Sequence, residues 1–200
     1  MDIEAFILIG GRSTRFGSDK AFFEFEGQTL AVRAATTVEA AFPQLKTVFI
    51  AADEDQFRVE VPVLGRPVVF DVNSGAGAWS GLHAALVHSK SEWTLVLACD
   101  LPYVTAKFLC GLADEAQDDV DAVVPQQHDG RLQPLCAIYR TKPILELVEE
   151  RLAASDALPA IAKALQATRL RVIEPKEDDL LRNINSPDDL SQVSHSDSGG

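Results

Sequence analysis

Residues 6–20 carry the densest chemistry in the chain: Phe6-Ile-Leu-Ile-Gly-Gly-Arg-Ser-Thr-Arg-Phe-Gly-Ser-Asp-Lys20 is an apolar run that ends in a glycine turn followed by three cations. A buried strand that delivers a phosphate-gripping loop has this form. Gly10 and Gly11 are expected to take positive φ and to bring bare N–H groups close to an anion, while Arg12, Arg15 and Lys20 neutralise phosphate charge. A single cation after such a turn reads as a solvated surface charge, whereas three directly after a strand point to a nucleotide. The spacing excludes a Walker loop, because Gly11 to Gly17 encloses five residues and Ser18-Asp19 follows. A dinucleotide fingerprint is also missing, both here and in Gly75-Ala-Gly-Ala-Trp-Ser-Gly81.

Two carboxylates stand where apolar runs end. Asp100 closes Leu95-Val-Leu-Ala-Cys99, a place too poorly solvated for a carboxylate without a cation. A magnesium ion bridging nucleotide phosphates would satisfy it. Its other reading is as a cap for the helix entered through Leu101-Pro102, and spacing leaves both open. Asp71 follows Val68-Val-Phe70 and reads either as a site residue or as a turn former. Asn183 and Asn185 alternate with Arg182 and Ile184, so an extended segment would aim both amides to one face. Such amides can ligate a cation or hydrogen-bond a polar ring; an asparagine-rich turn before a helix is the alternative. Trp79 reads as core or as a ring-stacking platform.

The elements that must position these groups follow from periodicity. Short apolar strands at Phe6–Ile9, Thr47–Ala51, Val68–Phe70, Thr94–Ala98, Ala122–Val124, Leu132–Tyr139 and Leu170–Ile173 alternate with helical patterns. Helices are predicted through Leu30–Phe42, around Leu82–Leu86, after the cap Thr105, and over Thr141–Leu152 and Leu158–Leu165. Ser186-Pro-Asp-Asp189 has the order of a helix start. This alternation predicts an α/β fold, a single-domain, mostly parallel Rossmann-like sheet with helices on both faces. Ligands of such sheets sit at the carboxyl ends of the strands, where the residue 10–20 loop, Asp71 and Asp100 should converge.

The chain has 200 residues, enough for one domain, expected over residues 1–193 with a disordered tail at 194–200. The net charge of −12 argues against broad binding of nucleic acid or anionic membranes, though a local cationic loop can still hold a small anion. No apolar stretch approaches the ~20 residues of a membrane helix, and the acidic start lacks a signal peptide's basic region, which predicts a cytoplasmic protein. Cys99, Cys110 and Cys136 are widely spaced among apolar residues and read as reduced thiols. No Ser-His-Asp or Cys-His constellation stands out.

Four motifs in register resemble the molybdenum cofactor guanylyltransferases, within the nucleotidyltransferases of nucleotide-diphospho-sugar transferase-like fold: Leu8–Lys20, Leu97-Ala-Cys-Asp-Leu-Pro-Tyr103, Gln133-Pro-Leu-Cys-Ala-Ile-Tyr139 and Asn183-Ile-Asn-Ser-Pro-Asp-Asp-Leu190. The resemblance implies transfer of GMP from GTP to molybdopterin, with release of pyrophosphate; the alternatives are a cytidylyltransferase or other nucleotidyltransferase with a phosphorylated small-molecule acceptor, and a nucleotide-binding, chaperone-like protein without turnover. It implies a nucleotide site at Leu8, Ile9, Gly10, Gly11, Lys20, Asp71 and Asp100, with Mg2+ on Asp100. Arg15, Lys20 and Asp100 are its catalytic set, and Asn183 and Asn185 are its candidates for substrate or a second metal. Molybdoenzyme-insertion chaperones are candidate partners. Two departures bear on base choice: Ala78-Trp79 stands where the family has Pro-Leu, and Ala51-Ala-Asp53 lacks its asparagine.

Overall fold

The computed structural model describes residues 1–10, 20–52, 65–71, 75–154, 157–177, 179–184 and 189. Gly11, Arg12, Arg15, Asp53, Asn185, the helix start at residues 186–188 and the tail at 194–200 lie outside them.

A seven-stranded sheet organises the chain. Its strands are β1 (Ile3–Leu8), β4 (Thr47–Ala51), β5 (Val68–Phe70), β6 (Trp93–Ala98), β7 (Ala122–Pro125), β8 (Cys136–Arg140) and β9 (Leu170–Ile173), in the order β5-β4-β1-β6-β8-β7-β9. β2 (Glu24–Phe25) and β3 (Gln28–Thr29) form a separate hairpin. Within the large sheet only β8 runs against its neighbours, pairing antiparallel with β6 and β7; the other pairings are parallel. Parallel neighbours need long crossovers, supplied here by helices.

The period-two pattern of β1 divides its side chains between two cores. Ile3, Ala5 and Ile7 join α1 (Leu30–Ala41) and α3 (Ala106–Asp114) on one face, while Phe6 and Leu8 join α2 (Ala78–His88) and α4 (Thr141–Ala153) on the other. β6 is buried along its whole length, which explains why its sequence is a continuous apolar run rather than an alternation. The Thr29 and Thr105 hydroxyls accept from Val32 N and Phe108 N, capping α1 and α3.

The strand predicted over Leu132–Tyr139 begins later. Pro134 has no N–H for the ladder, so Leu132 makes only an isolated bridge to Gln126 and the continuous strand starts at Cys136. The helix predicted over Leu158–Leu165 is shorter for a related reason. Pro159 disfavours helical geometry at Leu158, and α5 (Ile161–Ala164) passes into a 3-10 turn at Leu165–Ala167. The hairpin and a 3-10 turn at Lys20–Phe22 have no counterpart in the sequence-based assignment. Glu26 and Gly27 both have positive φ, the requirement of a tight two-residue hairpin turn.

Candidate active site

Register brings the site residues together. Leu8 pairs with Ile50 on one side and with Ala98 on the other, so β1, β4 and β6 end level. The chain crosses from β1 first to β4 and β5 and only later to β6. The switch point of the sheet therefore lies between β1 and β6, where open α/β sheets form their ligand crevice. Gly10 and Asp100 leave the sheet there.

Lys20 and Asp100 meet across this crevice. Lys20 Nζ donates to Asp100 Oδ2 at 3.0 Å, with the two side chains only 13% and 24% exposed. Asp100 Oδ1 is buried without a hydrogen-bond partner among the described residues. A carboxylate with one oxygen held by an ammonium and the other buried and unmatched is poised for a second cation. The capping alternative for Asp100 is excluded, because Thr105 caps the following helix.

Both halves of the pair are braced from behind. Phe25 of the hairpin meets Tyr103 edge to face at 5.6 Å, the Arg33 guanidinium lies 4.9 Å over the Phe25 ring, and Arg33 Nε donates to Pro102 O at 2.8 Å. The segment entered through Lys20 is thereby fixed to the loop that leaves Asp100.

Asp71 leaves β5 with its N–H donated to Ala51 O at 2.8 Å. Its Oδ1 is buried without a hydrogen-bond partner among the described residues, and burial pushes the carboxyl up to about 6.

Gly10 serves a different purpose from the one its sequence context suggests. It is absent from the glycines with positive φ, and its N–H donates to Ile50 O at 3.2 Å beside the 2.9 Å bond from Ile9 N to the same oxygen. Leu8 O accepts from Cys99 N at 3.1 Å. These groups join the strand ends rather than presenting free donors to an anion. A Cβ on Gly10 would lie 2.9 Å from Ala52 N, so the glycine allows β1 and β4 to end in close contact. Gly81 does the same for α2, where a Cβ would lie 3.3 Å from the Leu8 side chain. Trp79 is core: it is buried, and its Nε1 donates to Pro159 O at 2.8 Å.

Asn183 reaches the crevice from the other side. Ile184 N donates to Asp100 O at 2.9 Å, and Asn183 Oδ1 accepts from Gln133 Nε2 at 2.7 Å. Sequence reasoning gave Gln133 no individual role, since a contact across 50 residues leaves no local spacing to read. Among the described residues no cluster of three or more His, Cys, Asp or Glu side chains could hold a metal, and no helix is long and apolar enough to cross a membrane. A magnesium ion held by Asp100 would take most of its ligands from phosphates and water, which fits a site with no three-ligand cluster among the described residues. Cys99 and Cys136 are buried and Cys110 partly so, all as free thiols.

Comparison with known proteins agrees with this geometry. A probable molybdenum cofactor guanylyltransferase of Pelotomaculum thermopropionicum is 33% identical over 190 residues, covering 92% of this chain and 88% of its own. Molybdopterin-guanine dinucleotide biosynthesis protein A from Archaeoglobus fulgidus superposes with a TM-score of 0.73 at 25% identity, covering 95% of this chain and 96% of its own. A 4-diphosphocytidyl-2C-methyl-D-erythritol synthase from Anaerococcus prevotii shares the fold at 12% identity and a TM-score of 0.73, covering 96% and 94% of the two chains. Residues 5–174 match the profile of the MobA-like NTP transferase domain, and the chain belongs to that family.

Proposed function

We propose that this protein is a magnesium-dependent, cytoplasmic guanylyltransferase that transfers GMP from GTP to the terminal phosphate of molybdopterin in the molybdenum cofactor, releasing pyrophosphate. The observation that carries the reading is the Lys20–Asp100 pair at the sheet's switch point, with Asp100 Oδ1 buried and unmatched.

The acceptor is a phosphate monoester whose second pKa is about 6, so its nucleophilic oxygen is already ionised near neutral pH. No general base is required. A new P–O bond forms between that oxygen and the α-phosphorus of GTP, while the bond from the α-phosphorus to the bridging oxygen breaks and pyrophosphate leaves with the electron pair. The obstacle is repulsion between two anions, and the answer is positioning with charge neutralisation. Asp100 would hold Mg2+, which when bound supplies positive charge to the triphosphate. Lys20, fixed by Asp100, places an ammonium at the same point; Arg15, outside the described residues, would be the second cation. Asp71, on the β4–β5 side, would accept hydrogen bonds from the nucleoside.

The test is incubation of the purified protein with α-labelled GTP and molybdenum cofactor. Label should enter a guanine dinucleotide product only when acceptor and Mg2+ are both present. Nucleotide binding without product under any condition contradicts the proposal.

A further inference from the structure

The Lys20–Asp100 contact is a closed ion pair, and its charge balance determines what else can enter. One negative and one positive charge meet at 3.0 Å, on side chains only 13% and 24% exposed. The pair is neutral in a place where an unbalanced charge is costly. A divalent cation added to it would leave two positive charges uncompensated, beside an ammonium that already occupies Asp100 Oδ2. Offsetting that excess with protein groups alone would require further carboxylates, and among the described residues no three His, Cys, Asp or Glu side chains gather to hold a metal. The buried, unmatched Oδ1 is therefore favourable to a cation only once the charge of Lys20 has been taken up elsewhere.

A triphosphate brings the negative charge that does this. Lys20 can turn toward it without disturbing the fold, because its backbone is anchored while its side chain is flexible. Lys20 O accepts from Phe23 N at 3.1 Å, Phe23 O accepts from Leu30 N at 3.0 Å, and Phe25 packs on Tyr103 in the loop that leaves Asp100. Above this anchor, a four-carbon stem lets the ammonium swing between Asp100 and a phosphate oxygen in the same crevice. The swing exchanges one anionic partner of Lys20 for another and leaves the Asp100 carboxylate in need of a cation.

We propose that Lys20 is the resting counter-ion of Asp100 and that it enforces an order of binding: Asp100 accepts the divalent cation with the nucleotide or after it, and refuses it before. The inference rests on the reading that puts Mg2+ at Asp100 and a nucleotide in the crevice; the identities of the base and the acceptor do not enter it. Lys20→Met removes the competing charge and leaves the carboxylate to the metal. Asp100→Asn removes the carboxylate itself.

The experiment measures binding of Mn2+, a paramagnetic substitute for Mg2+, by water-proton relaxation in the absence of acceptor. The parent, Lys20→Met, Asp100→Asn and the Lys20→Met/Asp100→Asn double variant are compared, with thermal unfolding in the presence and absence of Mg2+. Without nucleotide, Lys20→Met should bind Mn2+ at least tenfold more tightly than the parent, and the double variant should lose that gain. Mg2+ alone should raise the melting temperature of Lys20→Met and leave that of the parent unchanged. With GTP, the parent should bind Mn2+ at least tenfold more tightly than Asp100→Asn does. Equal Mn2+ binding by the parent and Lys20→Met without nucleotide would overturn the order of binding and leave the transferase reading standing. So would a parent that binds Mn2+ alone as tightly as with GTP, a result that needs no variant. A parent that takes up Mn2+ with CTP and not with GTP would support the order of binding while overturning the guanine assignment. If Asp100→Asn with GTP held Mn2+ as the parent does, this inference and the magnesium assignment would fall together.

Discussion

Lys20 Nζ lies 3.0 Å from Asp100 Oδ2 although 80 residues separate them in the chain, and Asp100 Oδ1 beside it is buried without a hydrogen-bond partner among the described residues. Half of the carboxylate is satisfied by the protein and half is held for something else. Asp100→Asn keeps the shape of the side chain but removes the charge for which Lys20 and a magnesium ion would compete. The variant should fold, by circular dichroism, and should lose roughly 10²–10³-fold in kcat/KM. A near-parental rate at limiting Mg2+ would contradict the assignment.

Lys20→Met tests the other half of the pair. The Lys20 side chain is only 13% exposed, so a solvated surface role is already excluded by its position. Turnover should fall by at least tenfold in protein that remains folded by circular dichroism, and the melting temperature should fall as well, because the part-buried Asp100 carboxylate is left without its cation. Unchanged kcat/KM would leave Lys20 with a purely structural role.

Asp71 should make stability fall as pH rises. Burial holds its folded-state carboxyl at about 6, against 3.8 for an ordinary aspartate, so between those values the folded protein binds more protons than the unfolded chain. Its contribution is therefore most favourable below pH 4 and is lost as pH rises through about 6. Asp71→Asn should accordingly raise the melting temperature at pH 8, with a difference from the parent that disappears near pH 4. The same substitution should weaken nucleotide binding, and binding by the parent should decline as pH drops through about 6. A melting difference independent of pH would show that burial of the charge is not its cause.

Gly10→Ala should destabilise the fold by about 1–3 kcal/mol, since the added carbon would meet backbone at 2.9 Å rather than a side chain that can swing away. Urea unfolding reads this directly. An unchanged midpoint would mean that the ends of β1 and β4 can separate without cost.

Much of this arrangement was legible in the sequence. β4, β5 and β6 read as strands because they are largely apolar runs, and Asp71 and Asp100 stood out as carboxylates where such runs stop. What could not be read depends on pairing over long distances. Asp100 was open between capping a helix and holding a cation, and only the position of Lys20 and the cap at Thr105 decide it. The two-residue strands β2 and β3 are too short to show a period, and they persist because Phe25 packs on Tyr103 and Arg33. Gly10 looked like a phosphate-loop glycine, yet it is needed for the approach of Ala52. Gln133 is visible only once Asn183 has been folded against it.

If GTP donates the nucleotide and molybdopterin receives it, base choice is the most direct readout. Pyrophosphate release should be measured with purified protein, Mg2+ and molybdenum cofactor for GTP and CTP in turn, and compared as kcat/KM. A buried polar group left unpaired by the wrong base costs about 1–3 kcal/mol, so two such groups predict at least tenfold preference for GTP. Equal rates, or a preference for CTP, would contradict guanylyl transfer.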